Sequence, residues 1–80
     1  MYYLYIIESL LNGRKYIGST ENTEKRLHQH NNKQVRSTKA YAPWKLVFTE
    51  KYATKTEARK RELELKNNSW KRRDLYEKIK

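Results

Sequence analysis

Six residues of this chain have types and spacings that could do chemistry: Tyr5, Tyr16, Gly18, Arg26, His30 and Glu62. The stretch from Tyr16 to His30 reads as the end of a strand, a single glycine at position 18, and a helix from Asn22 onward. On that helix Arg26 and His30 are spaced i,i+4 and share a face. A tyrosine, an arginine and a histidine brought together in a strongly basic protein are parts for cleaving a phosphodiester. Glu62 stands apart. It lies between Ala58 and Leu65 on the inner stripe of a second predicted helix, where an unpaired carboxylate is costly to bury. Taken singly, each residue has an ordinary explanation. Strand tyrosines usually belong to cores, Arg26 could pair with a carboxylate such as Glu57, His30 could favourably end a helix, and Glu62 could bond a neighbouring lysine.

The elements that must position these groups follow from local patterning. Residues 2 to 8 are β-branched and aromatic, as in a buried strand. Asn12-Gly13 is the preferred pair for a two-residue hairpin loop, and Arg14 to Ser19 returns as the second strand. With that loop, paired positions sum to 25, which places Tyr3, Tyr5, Tyr16 and Gly18 on one side of the sheet. Gly18 ends the second strand, where a backbone can turn or approach a ligand closely. Asn22 or Thr20 caps the first helix, which carries one apolar residue, Leu27. Residues 31 to 43 read as a loop, and Trp44 to Thr49 as a half-buried third strand. Thr54-Lys55-Thr56-Glu57 matches a capping box and opens the second helix. Asn67-Asn68 interrupts it, Ser69 caps a third, and Trp70, Leu75 and Ile79 anchor that basic helix. The predicted fold is a small α/β (α+β) domain, a three-stranded sheet flanked by helices in the order β-β-α-β-α-α.

Composition narrows the partners. Eighty residues make one domain, spanning 1–80, near the lower size limit for a self-sufficient core. Only 36% of residues are apolar, so seven tyrosines and two tryptophans must supply much of the packing. The net charge is +10. Eight basic and four acidic side chains in residues 1–50 give +4, and eleven and five in residues 51–80 give +6, so the charge is spread along the chain. Such density of charge, interleaved with tyrosine, points to nucleic acid. The apolar opening ends at Glu8, far short of a membrane span of roughly 20 residues, and lacks a basic lead-in. No membrane partner is expected. The absence of cysteine excludes disulfides and thiolate metal sites and suits a reducing, cytoplasmic location.

Other motifs carry less. His28 and His30 diverge by about 200° on a helix and cannot chelate together. Glu64-Leu65-Lys66 echoes the Glu-x-Lys of one nuclease superfamily, but it lies in a helix with no Pro-Asp upstream.

Taken in order, the spaced residues resemble the GIY-YIG endonuclease domain over nearly the whole chain. The matching features are Tyr3-Leu4-Tyr5, Tyr16-Ile17-Gly18 eleven residues after Tyr5, Arg26, His30 and a glutamate in the next helix. The small single-domain branch is most similar. It shares R-L-x-x-H-N (Arg26 to Asn31), a Pro-Trp-Lys-Leu-Val strand (Pro43 to Val47) and an E-A-x-x-R-E helix (Glu57 to Glu62). The chain departs from the family in having Tyr3 where the first motif has glycine, and the family's late asparagine could be Asn67 or Asn68.

The resemblance implies a metal-dependent endonuclease acting on DNA, in repair or recombination of branched or damaged substrates. Glu62 would hold one ion, Mg2+ or Mn2+, with waters and a phosphate oxygen. Arg26 would neutralise the phosphate in the transition state. Tyr5, Tyr16 or His30 would activate the attacking water, and a phenol needs nearby positive charge for that role. Arg14, Lys15, Lys39, Lys71, Arg72 and Arg73 would hold backbone phosphates, and a protein partner is a possible source of specificity. All five catalytic residues are expected on one open concave face. The competing expectation is an inactive basic module that uses its tyrosines as stacking platforms.

Overall fold

The computed structural model describes residues 1–79. Three antiparallel strands, β1 (Tyr2–Ser9), β2 (Lys15–Thr20) and β3 (Trp44–Tyr52), form one sheet in the order β2-β1-β3. Helix α1 (Thr23–Asn31) joins β2 to a short 3-10 turn at Lys39–Tyr41, and α2 (Lys55–Asn67) and α3 (Ser69–Lys78) follow β3. The element order is the one expected. Strand β3 runs three residues further than predicted, and α1 reaches Asn31 before the loop begins.

The hairpin differs from expectation in register. Tyr5 faces Gly18 and Glu8 faces Lys15, so paired positions sum to 23 rather than 25. The loop is Leu10 to Gly13, closed by Ser9 N–H to Arg14 O at 2.8 Å and by Gly13 N–H to Ser9 O at 3.0 Å. Gly13 takes φ +78°, a conformation that disfavours a side chain. The loop is still even in length, so the shared face of Tyr3, Tyr5, Tyr16 and Gly18 survives the shift.

Alternation along β1, the central strand, divides the core in two. Leu4 and Ile6, with Ile17 of β2, pack against Leu65 of α2 and Leu75 of α3. Tyr5 and Ile7 point the other way, toward Trp44, Tyr16, Leu27 and Tyr41. One helix therefore covers one face and two cover the other. Local hydrogen bonds set the helix starts. Asn22 caps α1 by accepting Lys25 N–H at 3.0 Å, and Thr54 caps α2 by accepting Glu57 N–H at 3.2 Å. At α3 the cap is Asn68, which accepts Lys71 N–H at 3.1 Å, and Ser69 is already helical. Trp70 does not anchor α3. It is 76% exposed, while Leu75 and Ile79 make the contacts with the core.

Candidate active site at the edge of the sheet

Gly18 lies within β2, not at its end, and its role is to seat Tyr5. A Cβ at position 18 would lie 2.5 Å from the Tyr5 phenol oxygen and 2.7 Å from Cζ. Any side chain there would drive the ring off its place. The glycine is required by a neighbouring side chain rather than by a turn, since its φ lies outside the left-handed region.

Around that phenol a buried hydrogen-bond chain defines its own polarity. Arg26 Nε donates to the Tyr5 oxygen at 3.4 Å, and the Tyr5 oxygen lies 2.8 Å from His30 Nε2. The phenol has no other acceptor among the described residues, so its proton goes to Nε2. His30 is then the Nδ1–H tautomer and donates to Thr38 Oγ1 at 2.7 Å, which in turn donates to Val35 O at 3.4 Å. Trp44 Nε1 donates to Thr38 O at 3.0 Å and fixes the far end. Burial, and then the Arg26 charge, bring the His30 imidazole down to about 4, so it is neutral near pH 7. Burial pushes the Tyr5 phenol up to about 12, with the Arg26 hydrogen bond opposing and the Tyr16 and Glu62 charges adding.

Asn31 makes the joint between α1 and β3. Its amide donates to Trp44 O at 3.0 Å and accepts Trp44 N–H at 2.5 Å, imitating a strand partner at the start of β3. This ties the helix that carries Arg26 and His30 to the sheet.

Glu62 approaches from the opposite face. Its carboxylate is 3% exposed, and Oε1 accepts the Ser19 hydroxyl at 2.8 Å. Oε2 accepts Lys66 Nζ at 2.7 Å and Arg59 Nη1 at 3.0 Å. Burial raises its pKa, but the Lys66 and Ser19 hydrogen bonds and the Lys66 and Arg59 charges outweigh that and hold it below the usual carboxylate range. The expected single concave face is therefore not what forms. Tyr5 and His30 are buried, Tyr16 and Arg26 are half-buried on their side, and Glu62 comes from the other side of the sheet. The groups converge because β2 is an edge strand whose adjacent residues Gly18 and Ser19 face opposite sides of the sheet. Tyr5 rests on Gly18, Glu62 is bonded to Ser19, and Lys66 Nζ lies 5.3 Å from the Tyr16 ring centroid.

Two open grooves flank this edge. One, of about 650 Å³, is lined by Ser19, Asn22, Lys25, Arg26 and Gln29. The other, of about 440 Å³, is lined by Lys15, Tyr16, Lys66, Arg72 and Tyr76. Of the six cations expected on phosphates, Lys15 and Arg72 line the second groove. Arg72 Nη1 also caps α2 by donating to Lys66 O at 3.0 Å. Arg14 lies over the Tyr41 ring at 4.6 Å, Lys71 pairs with Glu64 at 3.6 Å, and Arg73 borders a cavity beside Trp70. Lys39 is exposed in the 3-10 turn. Asn67 ends α2 and Asn68 is taken up in capping α3.

Ser19, Gln29, Thr38 and Arg59 escaped the sequence reading, which anticipated a lysine beside Glu62 without naming Lys66. Lys66 was accessible in principle, being i+4 from Glu62 on one helix. Ser19 adjoins Gly18 but points to the other face, and Thr38 sits in a loop without periodicity.

A family model described as the GIY-YIG catalytic domain matches residues 1–76. A UPF0213 protein of Staphylococcus saprophyticus is 42% identical over 69 residues, covering 85% of this chain and 83% of its own. A UPF0213 protein of Bacillus licheniformis is 40% identical over 76 residues, covering 94% and 77% respectively. The solution NMR structure of a UPF0213 protein from Bacillus halodurans is also similar. It matches the whole of this chain and 86% of its own, at 30% identity and a TM-score of 0.59. The names of these relatives state no activity.

Proposed function

This chain belongs to the GIY-YIG family, and from that premise we propose that it is a metal-dependent endonuclease that hydrolyses phosphodiester bonds in DNA. One observation carries the reading beyond family membership: Glu62 is a buried, ionised carboxylate at the sheet edge of a chain with a net charge of +10. In an inert DNA-binding module it would only pair with Lys66 and Arg59 and draw their charge away from phosphate. Beside a cation it becomes a ligand.

The donor set fits one hard cation. Each carboxylate oxygen has two acceptor positions, and the Ser19 hydroxyl takes one of those on Oε1. Among the described residues no cluster of three or more acidic, histidine or cysteine side chains adds to it. An ion that keeps most of its waters, Mg2+ or Mn2+, suits a single carboxylate. When bound it would supply Lewis acidity at the phosphate and a bound water.

The remaining work falls to the chain's own groups. Arg26, steadied by Gln29 Oε1 at 2.9 Å and by Tyr5, directs its guanidinium to the phosphate as charge accumulates there. His30 is fully buried with both ring nitrogens engaged, so it orients Tyr5 rather than touching water. Tyr5, raised to about 12 and 2% exposed, in turn orients Arg26. Tyr16 is half-buried beneath the Lys66 ammonium, and we assign the attacking water to its phenol. Lys15, Arg72 and the cations around them track the backbone without reading bases.

The test incubates the protein with branched, nicked and single-stranded DNA, with and without Mg2+, beside Glu62→Gln. The expected result is metal-dependent cutting that falls at least about a hundredfold in the variant while DNA binding persists. Binding without cutting on every substrate and metal would establish the inactive module instead.

A further inference from the structure

The carboxylate on which the proposed cation depends already carries two of the chain's own cations on one oxygen. They are not equivalent. Arg59 is 58% exposed and reaches Oε2 from one turn earlier on α2. Lys66, one turn later, is 39% exposed and is held from two sides. Its ammonium contacts Oε2 at 2.7 Å and lies 5.3 Å from the centroid of the Tyr16 ring. A divalent ion approaching Glu62 therefore meets a positive charge within hydrogen-bond distance of the same carboxylate, and at such separations like charges repel strongly.

Without Lys66 the buried carboxylate is not left unpaired: Ser19 still donates to Oε1 and Arg59 to Oε2. The lysine can also leave readily. Its ammonium rides on a flexible four-carbon stem that lines the groove beside Lys15 and Tyr76. Tyr16 offers a second attraction close to the position it would vacate.

We propose that Lys66 is a displaceable counter-ion: it compensates Glu62 while no divalent cation is bound, sets how tightly that cation binds, and is released toward Tyr16 when it arrives. The inference rests on reading Glu62 as the cation ligand. It makes metal affinity a property tuned by a lysine one helical turn from the ligand, so that Glu62 stays ionised and in place before the ion enters.

The test measures Mn2+ binding to the full chain by water-proton relaxation, without DNA, for the wild type, Lys66→Met, Lys66→Arg and Glu62→Gln. Lys51→Met on the far edge strand controls for net charge, and urea melts confirm folding. Lys66→Met should bind Mn2+ at least about tenfold more tightly than wild type, and Lys51→Met less than about twofold more tightly. Lys66→Arg should stay near the wild type, and Glu62→Gln should lose at least about tenfold. The NMR signal of the Lys66 ε-methylene should shift on adding Mg2+. Equal or weaker binding by Lys66→Met, with Glu62→Gln still impaired, would overturn the role of Lys66 and leave Glu62 as the ligand. Binding unaffected by Glu62→Gln would overturn the ligand reading and this inference together.

Discussion

Acidification from pH 7.5 to pH 5 should destabilise this protein through His30. The ring is fully buried, and burial followed by the Arg26 charge lowers its pKa from 6.5 to about 4. Protonation would also convert Nε2 from acceptor to donor, leaving the Tyr5 proton without a partner. The unfolded chain therefore binds protons at His30 more readily than the native chain between these two values. Stability from this group is fully present above pH 6.5 and is lost as pH falls toward 4. A gap of about 2.5 units corresponds to about 3 kcal/mol, of which about 2 kcal/mol is lost by pH 5. Glu62, held below the usual carboxylate range, weakens the fold only at lower pH, so the window above pH 5 isolates the histidine. The assay is urea unfolding followed by tryptophan fluorescence from pH 7.5 to pH 5, for the wild type and for His30→Gln, which keeps an acceptor but does not titrate. The wild type should lose about 2 kcal/mol across that range relative to the variant. Identical pH slopes, or an NMR titration placing His30 at or above 6.5, would refute the reasoning.

Three further substitutions probe the same construction. Gly18→Ala places a methyl 2.5 Å from the Tyr5 oxygen and should cost about 1–3 kcal/mol in a urea melt. Unchanged stability would mean that Tyr5 is not seated on the glycine. Asn31→Ala removes both hydrogen bonds to the Trp44 backbone and should destabilise by about 1–3 kcal/mol, read as a fall in the denaturant midpoint. Arg26→Lys keeps the charge but loses the planar fork, so cleavage should drop about a hundredfold while stability moves by less than about 1 kcal/mol. Full activity in that variant would remove Arg26 from the phosphate.

Much of the architecture was legible because its causes are local. The apolar, aromatic run of Tyr2 to Glu8, the Thr54 box and the cap offered by Asn22 or Thr20 each depend on residues a few positions apart. Errors arose where two local solutions compete. Asn12-Gly13 favours a two-residue loop, yet Ser9 Oγ accepts Leu11 N–H at 3.1 Å and Asn12 N–H at 3.3 Å, stabilising a four-residue one. Asn68 won the α3 cap over its neighbour Ser69. Trp70 was expected inside on hydrophobicity, but its place on α3 turns it away from the sheet while Leu75 and Ile79 meet it.

By itself the sequence determined the element order, the common face of Tyr5, Tyr16 and Gly18, and the identity of the residues worth testing. The first two follow from strand geometry, capping chemistry and an even hairpin loop, all acting over short range, and the third from the resemblance of the spaced residues to the GIY-YIG family. Only the tertiary structure decided how the residues divide the work. His30 meets Tyr5 across 25 positions, and Ser19 meets Glu62 across 43. Contacts at that separation depend on where helices on opposite faces come to rest against the sheet, which no local pattern encodes. That packing buries and neutralises His30, leaves Tyr16 half-open, and brings a carboxylate from the other side of the sheet to the edge strand beside Gly18.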